Sequence, residues 1–535
     1  MLLLVQICSM VGRYPIVKKH SLFCFIVLLV IASARIVATY TVFNDTIDET
    51  PHIGCGIEWL DKGVYLYETE HPPLARLMTA AGPYLMGARY TGLADAAAEG
   101  RAVLKFGGQY DRNLALARLG ILPFFWLAST VVYLWAKRSF GEPTAFFASL
   151  CFTTLPPALA HAGVATTDMA ATATIGAAFL AMLVWAERPS RRRSVLFAAA
   201  LAAAILSKFS SLAYLPAATL AAVALYLFLE WPGLSRLWEW LRPRFLPLTL
   251  VGLVACFLVW AGYRFSFNGK PAPELWKGIG DVARHNRNGH PAYLLGQYST
   301  KGWWYYYPVV LMVKTPLALI ALTIAGIVVS CKRLRQWNGA YITPLAFSFG
   351  ILTFAIAFSH INLGIRHVLP AFVGLSIVAG AGAQQLWSSG RTSRALVSAL
   401  LVWLVLSSAL SHPDYLAYFN ELAGSRPERI LVNSDLDWAQ DTKRLARRLK
   451  ELGVRDLAFD AFNSDYVKTL QTLHEFPPTR PLNPIQPDPG WNAASITPLT
   501  LWPLGQTRGT SAVQPWTDRI PTERVGKGIF LWYIP

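Results

Sequence analysis

Two carboxylates stand side by side in Thr46-Ile47-Asp48-Glu49, just after the first long apolar run of the chain, and His52, Glu70 and His71 follow in the same loop. Asp168, Lys208, Lys314, Arg366 and His367 come later, each beside or inside an apolar run. Acids and bases of both signs at a membrane boundary suit group transfer from an anionic lipid. Arg and Lys hold phosphate well in a low-dielectric site, where two unit charges 4 Å apart are worth about 4 kcal/mol at an effective dielectric of 20. Lys208, Lys314, Arg366 and His367 therefore suit a carrier lipid's phosphate and its departure as a leaving group. A carboxylate beside the transferred group would take the proton of an acceptor hydroxyl, a contribution of about 10² to 10⁴ in rate. Each residue also has a structural reading. Asp168 can cap a helix, Lys208 and Arg366 can snorkel to headgroups, the histidines can satisfy buried carbonyls, and Asp48-Glu49 can be an acidic turn.

Composition states what must position these groups. The 535 residues are 54% hydrophobic and 15% charged, against roughly 25% charged in soluble domains, so the chain is an integral membrane protein. Its net charge of +17 lies in short clusters between apolar runs, as in cytoplasmic loops, and not on one polar face, which excludes nucleic acid as a partner. The six cysteines, from Cys8 to Cys331, suggest neither a disulfide framework nor a metal spacing.

About eleven runs are candidates to span a ~30 Å hydrocarbon core: 21–40, 113–136, 143–160, 167–186, 194–206, 212–229, 245–263, 304–330, 341–359, 367–386 and 395–411. Basic clusters in alternate loops, all on one side (Arg13 with Lys18-Lys19, Lys137-Arg138, Arg191 to Arg193, Arg242 with Arg244, Lys332 to Arg335, Arg391 with Arg394), face only Lys208 and Arg366 in the short loops opposite. The positive-inside rule then puts the N-terminus in the cytoplasm and the C-terminus outside. Two long outer loops remain, 41–112 and 264–303, the second unusually basic. Ala32-Ser33-Ala34 resembles a signal cleavage site, but apolar residues resume at Ile36, so an uncleaved first helix is the better reading. With this orientation every titratable outlier converges on the outer face, which favours one shared site over separate structural roles.

Several local expectations follow. Leu74 to Tyr90 reads as an amphipathic surface helix opened by Pro72-Pro73, with Arg76 and Arg89 toward the headgroups, and Ala94 to Phe106 as a second. Lys314 lies about 15 Å into the eighth span, where a lysine costs about 2.5 to 3.5 kcal/mol unless it meets a partner or a wet cavity. Pro316 is expected to bend that span. From 412 to 535 the chain turns polar, with strands at Arg429–Asn433 and Asp456–Phe459 around a helix at Trp438–Leu452, a Pro-rich loop at 476–490, and strands at Ser495–Leu501 and Gly528–Ile534. The expected architecture is an α-helical polytopic membrane protein, domain 1–411, with a small extracytoplasmic α/β domain at 412–535.

Thr46-Ile-Asp48-Glu49, Glu70-His71-Pro72-Pro73-Leu74, Thr167-Asp168, Ser207-Lys208-Phe209, Lys314-Thr315-Pro316 and Gly364-Ile-Arg366-His367-Val-Leu-Pro370 together resemble the motifs of phospholipid-carrier-dependent glycosyltransferases. These are GT-C membrane enzymes related to protein O-mannosyltransferases and lipid A aminoarabinose transferases. The resemblance extends through His412-Pro-Asp-Tyr-Leu-Ala-Tyr-Phe-Asn420 and Asn433-Ser-Asp-Leu-Asp-Trp438-Ala-Gln-Asp441, with Ala439 standing where glycine is expected. It implies a GT-C fold in a bacterial plasma membrane and a polyprenyl-phosphate-linked sugar donor. The acceptor would be a protein hydroxyl or envelope glycolipid or glycan on the outer face. Asp48 would be the general base of an inverting displacement, with Glu49 placing the acceptor or sharing the proton and Asp168 orienting acceptor or sugar. Lys208, Arg366 and His367 would contact the donor phosphate, and a divalent cation between Asp48, Glu49 and Asp168 is a further option. A carrier-lipid flippase or transporter is the alternative, although no internal repeat of the transporter kind is visible.

Overall fold

The computed structural model describes residues 18–229, 233–334, 339–483, 487–506, 516 and 519–535. Cys8, Arg13, Arg335 and part of the 476–490 loop lie outside the described residues.

Each of the eleven apolar runs forms a helix or a pair of helices. In chain order, α1 is Lys18–Val37, and four helices of the first long loop follow: α2 (Glu49–Lys62), α3 (Pro73–Leu85), α4 (Ala96–Lys105) and α5 (Tyr110–Leu119). The helical body continues with α6 (Leu122–Phe140), α7 (Glu142–Thr153), α8 (Pro156–Ala162), α9 (Asp168–Glu187), α10 (Arg191–Ser207), α11 (Ser211–Leu229), α12 (Gly233–Leu241) and α13 (Phe245–Gly262). The second long loop contains α14 (Pro273–Asn288) and a hairpin of β1 (Ala292–Leu294) and β2 (Gln297–Ser299). After it come α15 (Tyr306–Lys314), α16 (Leu317–Leu334), α17 (Gly339–Phe358), α18 (Ala371–Ser388) and α19 (Arg391–Leu410).

Among the described residues, six helical segments are long and apolar enough to cross a membrane, or eight when two bent pairs count as one span each. The remaining three predicted runs form helices below that standard. This is a multi-pass membrane protein. The bent pairs are α7 with α8, at 64°, and α15 with α16, at 113°. The second break falls at Thr315-Pro316, where the missing amide of Pro316 ends α15, and the predicted eighth span is therefore not straight. α18 packs between α16 and α7, and α11 packs along α17, in one apolar core that runs through the helical body.

Two expectations for the first long loop are revised. The acidic stretch is the start of α2, whose far end closes at Gly63 in the left-handed region that glycine reaches without strain (φ 71). Arg76 does not point to headgroups: it is completely buried, while Leu85 is 78% exposed. α3 thus turns its charged side inward, because Arg76 finds polar partners there and Leu85 needs none.

The C-terminal part carries α20 (Thr442–Glu451), α21 (Ser464–Thr472) and α22 (Ile496–Gln506). Its sheet has the order β4-β3-β5-β7-β6, from β3 (Leu457–Asp460), β4 (Thr479–Arg480), β5 (Gly490–Ser495), β6 (Glu523–Val525) and β7 (Ile529–Ile534). β3 runs parallel to β4 and β5, and β7 antiparallel to β5 and β6. The predicted strand at Arg429–Asn433 is absent. Leu431 is buried in the core of the helical body, and short 3-10 turns at Pro427–Arg429 and Asn433–Asp435 flank it. The predicted strand Ser495–Leu501 is instead the last residue of β5 followed by α22.

Candidate active site

A cavity of about 770 Å³ opens where the helical body meets the C-terminal segment. Its polar lining comes from Asp48, His52, Glu70, His71, Lys208, Arg366 and His367. Its apolar lining includes Leu212 and Ala213 on α11, Ile279, Val282 and Ala283 on α14, and Phe354 and Phe358 on α17. Asn433, Trp438, Phe462 and Thr497 contribute from the C-terminal part. Seven of the ten residues singled out in the sequence thus line one space.

The charged centre is a chain of alternating signs. Arg366, 9% exposed, donates from Nη1 to Asp48 Oδ2 at 2.6 Å and lies 3.9 Å from Asp168 Oδ2. Lys208 Nζ donates to Asp168 Oδ1 at 2.5 Å. Asp168 is 1% exposed and sits on the first residue of α9, where the helix dipole favours an anion. It therefore anchors the two cations rather than lining the cavity. The Trp438 ring lies 4.4 Å from the Arg366 guanidinium carbon and fixes its plane. Tyr214 OH donates to the His367 carbonyl at 2.9 Å and steadies that turn.

Gly364 shows why this turn has its sequence. Its φ of 82 is a left-handed value, and a Cβ there would come within 2.6 Å of Asp435 Oδ2. Asp435 accepts the Ile365 amide at 3.0 Å and so sets the backbone next to Arg366. Ala439 also has a left-handed φ, of 70, which gives a physical reason for the glycine expected there.

The loop before α2 is clamped from the C-terminal part. Asn44 Nδ2 donates to the Ala439 carbonyl at 2.7 Å, and the Ile47 amide donates to the Trp438 carbonyl at 3.3 Å. Asp48 keeps 32% of its side chain exposed in the cavity.

Glu49 is turned the other way and does not line the cavity. It is 0% exposed and takes Arg118 Nε at 2.8 Å, Arg118 Nη2 at 2.9 Å, the Thr46 amide at 2.8 Å and the Ala165 amide at 2.8 Å. Glu49 therefore ties α2 to α5 and to the segment before α9. Asp48, Glu49 and Asp168 also do not fit a metal. Glu49 is fully engaged, Asp48 and Asp168 each have a cation, and no group of three His, Cys, Asp or Glu among the described residues is placed to hold an ion.

Lys314 likewise does not line the cavity and acts as a latch on the backbone. It is 1% exposed and donates to the carbonyls of Leu416 at 2.8 Å and Asp435 at 2.6 Å, with the Phe419 ring at 4.3 Å. The buried ammonium meets its need for partners through backbone and pins residues 416–435 onto the end of α15.

The histidines form a second tier around Arg76. Arg76 Nε donates to His52 Nδ1 at 3.0 Å, Nη1 donates to Tyr65 OH at 2.8 Å, and the Glu68 carboxylate pairs with Nη2. Burial and then the Arg76 charge hold the His52 pKa well below its ordinary value. Because Nδ1 accepts, the ring proton of neutral His52 is on Nε2. Enclosure and then the Lys208 charge lower His71 to about 4. At the mouth, His285 Nδ1 lies 3.4 Å from Glu70 Oε2, and its Nε2 lies 3.1 Å from His290 Nδ1. The sequence reading missed Arg76 as an inward group, Arg118, His285, His290 and Trp438. For Arg118, an arginine at the edge of an apolar run is the one signal that was present.

Residues 113–263 match the family of dolichyl-phosphate-mannose-protein mannosyltransferases. No curated protein matches the chain significantly by sequence. The crystal structure of ArnT from Cupriavidus metallidurans matches at 13% identity and a TM-score of 0.50, over 95% of this chain and 97% of that one. The archaeal oligosaccharyltransferase AglB from Archaeoglobus fulgidus matches at 13% identity and a TM-score of 0.46, over 89% of this chain and 69% of that one. The likeness to ArnT is one of fold over nearly the whole of both chains, and the mannosyltransferase family match falls on the part of that fold from α5 to α13.

Proposed function

We propose that the protein moves a sugar from a polyprenyl-phosphate carrier to a hydroxyl acceptor on the outer face of a bacterial plasma membrane. The observation that carries this reading is the mixed lining of the cavity, where cations and a carboxylate share one space with apolar side chains of α11, α14 and α17. That pairing suits a ligand with a phosphate head and a hydrocarbon tail. The ArnT structure that shares this fold was obtained bound to undecaprenyl phosphate, a ligand of that kind. The outer location rests on the distribution of basic loops.

In the reaction, the acceptor oxygen attacks the anomeric carbon while the bond from that carbon to the phosphate oxygen breaks. The bonding pair leaves with the phosphate, where Arg366, Lys208 and His367 receive the charge. Asp48 takes the acceptor proton through its exposed carboxylate, and the single displacement inverts the anomeric centre. Asp168 keeps the two cations in position, and neutral His52 offers Nε2–H to the sugar or acceptor. A protein hydroxyl, an envelope glycolipid or a glycan are the acceptors this chemistry admits.

The test is transfer by purified protein supplied with polyprenyl phosphate carrying a labelled sugar and an envelope extract. Label should pass to a non-lipid or glycolipid product with release of polyprenyl phosphate, and Asp48→Asn should lower the rate by about 10² to 10⁴. Movement of intact donor between leaflets without cleavage of the sugar–phosphate bond would instead make the protein a transporter.

A further inference from the structure

A second cavity, of about 1000 Å³, lies away from the first, between α20 and the segment joining α4 to α5. Six cations line it: Lys105, Arg112, Lys443, Arg447, Lys450 and Arg455. Only two carboxylates do, Asp111 and Glu475, and Asp111 is taken by Lys443 at 2.6 and 2.7 Å. Lys443, Arg447 and Lys450 stand at i, i+4 and i+7 on α20, which puts them in one row along the helix. Among the described residues, Arg447, Lys450 and Arg455 meet no carboxylate within ion-pair distance. The floor is different in kind, with Val454, Leu470, Phe476 and Pro478 beside the Tyr110 and Tyr466 rings, whose centroids are 5.2 Å apart. Tyr110 also holds the loop that carries Asp48, since its hydroxyl accepts the Asp45 amide at 2.9 Å and donates to the Asp45 carboxylate, three residues before Asp48.

We propose that this second cavity binds the anionic part of the acceptor, a molecule bearing two or more phosphate or carboxylate groups next to an apolar or sugar-ring face. The inference rests on the transfer reaction proposed above. The unpaired Arg447, Lys450 and Arg455 suit oxyanions, with arginine able to engage one in a bidentate fork, and the tyrosine rings suit the faces of a sugar. The connection through Tyr110 and Asp45 then presents the acceptor beside the loop that carries the base.

The test uses the full chain in phosphatidylcholine nanodiscs and a fluorescent disaccharide bearing two phosphates, with the uncharged disaccharide as control. The phosphorylated probe should bind and the uncharged one should not. Arg447→Gln with Lys450→Gln and Arg455→Gln, all at exposed positions, should weaken binding about tenfold, and binding should fall as salt is raised. Asp48→Asn should bind the probe as the native protein does, so loss of transfer with retained probe binding separates the two proposals. Equal affinity in the triple variant, or equal binding of the uncharged sugar, overturns the inference. Capture of the nanodiscs by phosphatidylglycerol vesicles that is lost in the triple variant, with no binding of the soluble probe, assigns the cations to the membrane surface and overturns it as well.

Discussion

Asp48 leaves about a third of its side chain open to the cavity and meets one guanidinium, Arg366, at 2.6 Å. Glu49, the next residue, has nothing exposed and gives both oxygens to Arg118 and two backbone amides. The chemistry of the two side chains is nearly the same, and their surroundings decide what each can do. A carboxylate with every lone-pair direction taken by a donor loses those bonds if it takes a proton. One with a free edge in a solvated cavity can take a proton and keep its anchor. The same contrast separates Arg118, sealed at 1% exposure, from Arg366, which reaches the cavity.

The largest effect in stability should come from breaking the sealed pair on one side only. Arg118→Met leaves Glu49 buried and unpaired and should cost about 3 to 5 kcal/mol, read as a lower thermal midpoint of the detergent-solubilised protein. Adding Glu49→Met should restore much of it, because a well-packed apolar pair avoids the desolvation cost. A single variant as stable as the native protein would show that the pair does not hold α2 to α5. On the open side the loss should appear in binding. Arg366→Ala removes a charge-assisted contact worth about 1.5 to 3 kcal/mol, so the affinity for polyprenyl phosphate should fall about tenfold to a hundredfold, with a small change in midpoint. Unchanged lipid affinity would remove Arg366 from the phosphate site.

The smallest effect belongs to the exposed pair at the cavity mouth. The hydrogen bond that His285 donates to Glu70 raises the His285 pKa, and the same bond lowers that of Glu70. The histidine's contribution is complete below its unfolded value near 6.5 and is lost as pH rises through its higher folded value. The glutamate's contribution is present above about 4.3 and is lost as pH falls through its lower folded value. Both side chains are about a third exposed, so the whole effect should stay under about 1 kcal/mol. His285→Gln should flatten the alkaline shoulder of the midpoint-against-pH curve, and an unaltered shoulder would mean that the pair is absent in solution.

The helical body is legible in the sequence because hydropathy reports burial in lipid directly, and each of the eleven runs is a helix or a helix pair. Sidedness is legible from loop charge, which by itself puts Asp48 and Arg366 on one face although 318 positions separate them. Partner identity is not legible. Nothing local says that Glu49 finds Arg118 or that Arg366 lies against Trp438, since these are contacts across distant elements. Lys314 does find the partners that its depth demands, but backbone carbonyls serve as well as phosphate and leave no mark in sequence. At Arg429–Asn433, Ile430 and Leu431 pack into the core of the helical body while Val432 packs with Phe530 and Trp532 of the C-terminal part, and an apolar pattern alone does not distinguish that from pairing in a sheet.

Whether the two adjacent carboxylates have opposite roles is read from sugar transfer per folded molecule in Asp48→Asn and Glu49→Gln, measured side by side with the thermal midpoint. Asp48→Asn should remain folded and transfer about 10² to 10⁴ times more slowly. Glu49→Gln should melt at a lower temperature while its folded fraction transfers at close to the native rate. A folded but inactive Glu49→Gln beside an active Asp48→Asn would contradict the account.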